Sequence, residues 1–304
     1  MNALVTGGSG FLGHYLVKEL LNQGIRTVVL DKADQDTFFL EECTPQEGGE
    51  CTYIKGDILD RRVLAKAIEG CALVFHTAAI ADLDEARRIP LRTMEVNVLG
   101  TTMCLEAARE AGVSRFLYAS SVYTAGRKGS FYRVSKQAGE ALCRTYQEEY
   151  GLSYTILRYG SLYGRESNQW NFIYGVCRAL LTTGEFTYIS SPDSEREYIH
   201  ITDAARETVR IARDPSFVNQ AVLITGHQRI KVRELFAMIQ EILGKEIRIH
   251  YNPDIQPAHY VMTPYAFKIE VPVRVNLSTY IDISEGILDC LRAVREELDQ
   301  EQGH

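Results

Sequence analysis

Tyr132 and Lys136 stand four residues apart in Tyr-Arg-Val-Ser-Lys, and Ser121 precedes the tyrosine by 11 positions. A spacing of four puts two side chains on one face of a helix. A phenol titrates near pH ~10 and is a poor base at neutral pH. An ammonium beside it, together with a cationic nicotinamide, stabilises the phenolate and brings proton transfer into range. Tyr132 can then take a proton from a substrate hydroxyl while the carbon gives up hydride, with Ser121 holding the same oxygen. The motif occurs once in the chain. With 17 tyrosines present, chance alone would supply about half of one such spacing. Its weight comes from position, directly after the apolar run Arg115-Phe-Leu-Tyr-Ala119 and the pair Ser120-Ser121.

A second constellation opens the chain. Leu4-Val5-Thr6 leads into Gly7, Gly10 and Gly13, and apolar residues recur at Leu12, Leu16, Val17, Leu20 and Leu21. Strand, glycine-rich turn and helix form the context of a dinucleotide site. One glycine permits the tight turn, one lets the backbone approach a pyrophosphate, and one lets helix and strand pack closely. The phosphates then meet amides at the helix N-terminus, where Phe11 and Leu12 join the glycines as cofactor-contact candidates. Asp31 ends the next apolar run, 18 positions after Gly13, where the adenosine ribose would lie. A carboxylate there accepts from both ribose hydroxyls and repels a 2′-phosphate, so NAD is expected over NADP, with the neighbouring Lys32 partly offsetting the repulsion. Asp57 and Ile58, the small residues Thr77, Ala78 and Ala79, and Asn97 complete the expected cofactor contacts.

The elements that must position these residues alternate at short intervals. Strand-like runs at 26–30, 51–55, 72–76 and 115–119 are separated by helical patterns, including 91–111 and 132–150. That alternation predicts an α/β fold of Rossmann type, a doubly wound parallel sheet, with ligands beyond the carboxyl ends of its strands. The later chain reads as helix at 170–183, strand at 221–224, helix at 231–243, strand at 246–250 and helix at 284–298. A nucleotide-binding domain is expected over 1–165, with 195–225 returning to it, and a smaller substrate-binding part over 166–194 and 226–304.

Bulk properties narrow the classes of function. A net charge of −7 argues against nucleic acid or an anionic membrane as partner. No apolar run approaches the ~18 residues of a membrane span. The seven cysteines lack a Cys-x-x-Cys pair, which suits reduced thiols and a cytoplasmic location. The seven histidines show no ligand spacing, so a metal site is not expected.

Taken together, these residues resemble the extended short-chain dehydrogenase/reductase superfamily in its sugar-nucleotide epimerase/dehydratase branch. The resemblance runs through Thr6–Gly13, Asp31, Gly56-Asp57, Thr77–Ala79, Asn97–Thr101, Ser120-Ser121 and Tyr132–Lys136 to Leu157-Arg158, Tyr163-Gly164 and Arg196–Asp203. It implies that Tyr132 and Lys136 are catalytic, that Ser121 assists, and that Arg196 meets a sugar nucleotide's diphosphate. Asn168 is a candidate for the substrate pocket. A homodimer through a four-helix bundle, built from the helices near 92–111 and 132–150, is a further implication.

Three departures sharpen the reading. The stretch between Ser121 and Tyr132 is short for this branch, which leaves Arg127 and Lys128 exposed. Ser161 replaces a common asparagine, weakening transfer of a substrate contact there. Val122-Tyr123 stands where dehydratases carry an Asp-Glu pair, which argues against elimination of water. The leading expectation is an NAD-dependent epimerase working through a transient 4-keto sugar. A reductase of an NDP-4-keto-6-deoxysugar or related carbonyl is the alternative, and a non-catalytic dinucleotide sensor the third.

Overall fold

The computed structural model describes residues 2–34, 50–165, 167, 171–252, 273–274 and 279–302. Strand β1 (Asn2–Thr6) runs into the glycine loop and helix α1 (Phe11–Asn22), followed by β2 (Arg26–Asp31). Next come β3 (Cys51–Lys55), α2 (Arg61–Ile68), β4 (Leu73–His76), α3 (Leu83–Arg88) and α4 (Pro90–Met94). A π turn at Glu95–Gly100 leads into α5 (Thr101–Glu110), then β5 (Arg115–Ser121) and the long α6 (Ser130–Tyr150). Asp60 caps α2 by accepting from the amides of Arg62 and Val63, the reason that helix starts where it does.

The main sheet also takes β6 (Tyr154–Tyr159), β10 (Gln220–Ile224) and the two-residue β13 (Val273–Arg274). Its order is β13-β10-β6-β5-β4-β1-β2-β3, and every pairing is parallel. Strand β1 has β2 on one side and β4 on the other, so the winding reverses between β1 and β4. Such a reversal opens a crevice at the strands' carboxyl ends. The expected Rossmann-type α/β architecture is therefore present.

Helices cover both faces, as a parallel sheet requires. On one face α1 packs with α8 (Ile201–Arg213), and Leu16, Val17, Leu20, Val209 and Ile211 are buried together against the strands. On the other, Leu64, Leu105 and Cys143 from α2, α5 and α6 pack on Leu4, Phe116 and Ile156. A third core has a different membership. Ile173, Val176 and Leu180 of α7 (Phe172–Thr182) meet Leu235, Phe236 and Ile239 of α9 (Val232–Leu243) and Ile287, Leu291 and Val294 of α10 (Ile283–Gln302). Two small sheets flank it, β11-β9-β7 and β12-β8, made from β7 (Ser161–Tyr163), β8 (Glu185–Tyr188), β9 (Glu195–His200), β11 (Arg229–Lys231) and β12 (Arg248–Tyr251).

The single helix expected over 91–111 is instead α4, the π turn and α5. The extra residue of a π turn resets the helical phase, and an apolar periodicity of 3.6 does not register that. The sequence does not reveal β6, β7, β8, β9, β11 or β13 as strands; their two to six residues give too little alternation to stand out. Among the described residues, no helix is long and apolar enough to cross a membrane.

Candidate active site

The proton-transfer residues assemble where α6 crosses the end of β5. Ser121 is the last residue of β5, and its hydroxyl accepts from the Tyr123 amide at 3.3 Å, capping a 3-10 turn at Val122–Ala125. Tyr132 and Lys136 occupy successive turns of α6. The Tyr132 phenol stands beside Ser121, whose hydroxyl lowers its pKa slightly, and its ring meets Tyr123 edge-on at 6.4 Å. The Lys136 ammonium lies 5.8 Å from the centre of the Tyr132 ring and 5.0 Å from that of Tyr118. It donates to the Ala119 carbonyl at 2.7 Å. The three residues expected to act together are thus in one place.

Burial sets their charge states. It pushes the Tyr132 phenol up to about 12, against a smaller lowering by the Ser121 hydroxyl. It draws the Lys136 ammonium down to about 8, so the lysine is still mostly cationic at neutral pH. A neutral phenol beside a cation is poised to lose its proton once more positive charge arrives.

The glycine loop lies at the same carboxyl end of the parallel sheet, following β1, with β4 between it and β5. Gly7 has φ +75°, and a Cβ there would lie 2.6 Å from the Ala78 amide nitrogen. At Gly13 a Cβ would fall 2.1 Å from the Gly7 carbonyl oxygen, inside the loop itself. Gly10 precedes α1 with no side-chain cap on the helix, so the first-turn amides near Phe11 and Leu12 are not covered by a capping side chain. This is a cradle for a diphosphate: backbone donors at a helix start, with no room for side chains. Thr77 braces it by donating to the Thr6 carbonyl at 2.7 Å, and Ala78 and Ala79 continue that wall after β4.

Asp31 ends β2 and accepts from the Ser9 amide at 3.0 Å and the Ala33 amide at 3.0 Å. Its carboxylate is therefore held at the loop's edge while retaining lone pairs for a diol. Asp57 accepts from the Leu59 amide at 3.0 Å and from Arg92 at 3.2 Å, which fits a turn former as well as a ligand contact. Ile58 is buried beneath Gly100. Asn97, 1% exposed, spends its side chain inside the protein: it accepts from the Ile80 amide at 2.8 Å and donates to the Ile80 carbonyl at 2.9 Å and to Ser135 at 3.0 Å. It ties the chain after β4 to α6.

Arg196 is buried on β9 and donates to the Glu195 carbonyl at 2.9 Å. Strand register relates it to the site. Ser121 pairs with Tyr159 at the end of β6, and Ser161, two residues on, pairs with Tyr198 of β9. Arg196 shares a strand face with Tyr198. Asn168 lies outside the described residues. Arg127 and Lys128 are exposed, as expected.

A family model described as the NAD dependent epimerase/dehydratase family matches residues 3–224. The chain belongs to that family. Among relatives, it is 26% identical over 275 residues to an uncharacterised UDP-glucose epimerase of Bacillus subtilis (strain 168), covering 84% of this chain and 86% of that one. It is 31% identical over 246 residues to the UDP-glucose 4-epimerase of Haemophilus influenzae, covering 67% of this chain and 71% of that one. The fold matches that of MoeE5, solved in complex with UDP-glucuronic acid and NAD, with a TM-score of 0.84, 23% identity and coverage of 98% and 100% of the two chains. The family's cofactor is NAD, and the cradle described above fits it.

Around this family site stand residues that sequence reasoning passed over. A Cβ on Gly8 would strike Val29 at 2.5 Å. Buried His76 spans Thr6 at 2.7 Å and Thr101 at 2.9 Å. The Thr101 hydroxyl already donates to the Asn97 carbonyl at 2.7 Å, so it accepts from His76 Nε2–H, and Nδ1 accepts from Thr6. Burial then holds His76 neutral, down to about 3. Glu140, one turn past Lys136, was legible only as an i,i+4 relation to the lysine.

Proposed function

We propose that the chain is an NAD-dependent 4-epimerase of a UDP-activated hexose or hexuronic acid. The carrying observation is the grouping of Ser121, Tyr132 and Lys136 at the crevice that also holds the glycine cradle. The names of the two curated relatives support UDP-glucose as a starting point. NAD held by the glycine cradle and Asp31 would supply the hydride acceptor, and later the hydride donor, for the sugar carbon. Tyr132 Oη takes the proton of the 4-hydroxyl as that carbon is oxidised, and returns it when the opposite face is reduced. The Ser121 hydroxyl orients the same oxygen. Lys136 stabilises the phenolate and, buried against Ala119, does so without reorganising. Asp31 binds the adenosine ribose and Arg196 the substrate diphosphate. With no net redox change, one cofactor serves many turnovers.

The part built on the third core, over 166–194 and 226–304, holds the sugar nucleotide, while 1–165 and 195–225 hold NAD. Two copies pair through a four-helix bundle, a reading supported by exposed Leu91, Leu99, Phe131 and Val134 on the helices concerned. The six described cysteines are free thiols, which supports a cytoplasmic enzyme.

Native mass spectrometry of the purified protein tests the cofactor, with retained NAD as the expected result. Incubation with UDP-glucose, UDP-glucuronic acid and UDP-N-acetylglucosamine, followed by chromatographic separation of the 4-epimers, tests the reaction. Net consumption of NADH with a 4-keto sugar, and no epimer from any donor, would instead make the protein a reductase.

A further inference from the structure

Glu140 lies one turn beyond Lys136 and two beyond Tyr132 on α6, and is 3% exposed. One carboxylate oxygen accepts from Ser120 Oγ at 2.6 Å, Thr124 Oγ1 at 3.1 Å and Arg158 Nε at 2.8 Å. The other accepts from Arg158 at 2.6 Å and Arg144 at 3.3 Å. Ser120 and Thr124 bracket Ser121, and the Thr124 hydroxyl shares its one hydrogen between Glu140 and the Ser121 carbonyl, at 3.1 and 2.9 Å. Gln137 adds a bond to the Thr124 carbonyl at 2.8 Å. Two turns of α6 therefore grip one strand end, Lys136 at Ala119 and Glu140 at Ser120 and Thr124, with Tyr132 beside Ser121.

We propose that Glu140 is a positioning residue for the reaction at Tyr132: its carboxylate fixes both flanks of Ser121 and places a negative charge one helical turn from Lys136. The inference takes from the proposed function only that Tyr132 is the proton carrier.

The charge argument depends on what surrounds Lys136. On its own helix it has Tyr132 one turn before it and Glu140 one turn after it, without a direct ion pair to that carboxylate, and Cys143 nearby; from β5 it faces Tyr118, and from β4 the neutral His76. Burial lowers the ammonium's affinity for its proton, and Cys143 and then Glu140 oppose that, the thiol only where it is ionised. Burial pushes the Cys143 thiol well up, and Tyr118 and Tyr132 are likewise raised, so all three are neutral at pH 7. Glu140 is then the one anion of this set. Its own charge is secured by Arg158 on β6 and by Arg144 on its own helix, which hold its carboxyl below the usual range despite burial. A buried ion pair that served stability alone would be replaceable by apolar side chains of similar volume.

The test uses two variants. Glu140→Gln removes the charge but strands Arg158, and can fail to fold. The double variant E140L/R158M removes both charges and keeps the volume. In each, the Lys136 signal of 13Cε-lysine-labelled protein, assigned by its loss in Lys136→Met, is followed by NMR against pH without cofactor or substrate. We expect its midpoint about one unit lower in Glu140→Gln and at least half that lower in the double variant. The alkaline limb of kcat should move the same way. A wild-type Lys136 midpoint in either folded variant overturns the proposal. So does failure of both to fold, because Glu140 would then serve the fold alone. If wild-type protein turns over no UDP-sugar, the epimerase reading fails while the NMR titration still decides this one.

Discussion

The Lys136 ammonium donates to the Ala119 carbonyl at 2.7 Å, two residues before Ser121. That bond pins the lysine to the end of β5 and leaves its charge beside the Tyr132 ring. The cation is thus held by the sheet before any ligand arrives.

Replacing Tyr132 with Phe removes the proton carrier and little volume. We expect kcat to fall by about 10²–10⁴-fold with NAD affinity changed by less than about threefold. Epimer formation at near wild-type rates would mean that another group moves the proton.

Lys136→Met separates stability from catalysis. The folded pKa of about 8 lies below the ordinary lysine value, so burying the ammonium costs stability at neutral pH, a cost relieved as pH rises from 8 towards 10.5. The lost bond to Ala119 offsets about 1 kcal/mol of the gain. Urea unfolding at pH 7 should show the variant more stable by roughly 1–2 kcal/mol and catalytically inert. A less stable variant would indicate that the hydrogen bond outweighs desolvation.

The glycine loop gives a graded series. An alanine at Gly13 would put its Cβ 2.1 Å from the Gly7 carbonyl oxygen, whereas at Gly10 the nearest atom is 3.2 Å away and φ is an ordinary −78°. Gly13→Ala should weaken NAD binding by roughly 100-fold or more, and Gly10→Ala by less than about tenfold. Calorimetric titration with NAD reads both. Equal effects would sink the steric account.

His76 should steepen acid unfolding. Its folded pKa, about 3, is below the unfolded value of 6.5, so its stabilisation is complete above pH 6.5 and is lost as pH falls towards 3. The slope is up to one proton, about 1.4 kcal/mol per pH unit. Stability curves between pH 4 and 7 should be shallower for His76→Gln than for wild type, though the variant starts lower. Parallel curves would place the acid sensitivity elsewhere.

The bundle interface is tested by Leu91→Asp combined with Leu99→Asp, two exposed apolar side chains, one on α4 and one within the π turn. Light scattering should report a dimer for wild type and a monomer for the variant. A wild-type monomer at micromolar concentration would remove the proposal.

By itself the sequence determined much of this protein. Glycine spacing, alternating apolar runs and the Tyr132–Lys136 pair are local patterns, and local patterns survive in a string of letters. They were enough for the parallel sheet, for the glycine turn into α1 and for placing Tyr132 and Lys136 on successive turns of one helix. Tertiary structure decided what depends on contacts between distant segments. Asn97, read as a cofactor contact, clamps Ile80 and Ser135 from a π turn that periodicity cannot reveal. Glu140 resembles any surface glutamate on a helix until Ser120, Thr124 and Arg158 converge on it from 20, 16 and 18 residues away. Charge state was decided there as well. Tyr132 and Lys136 carry ordinary side chains, and only their burial beneath β5 moves the phenol up and the ammonium down. Desolvation is a property of surroundings, and the fold alone supplies those.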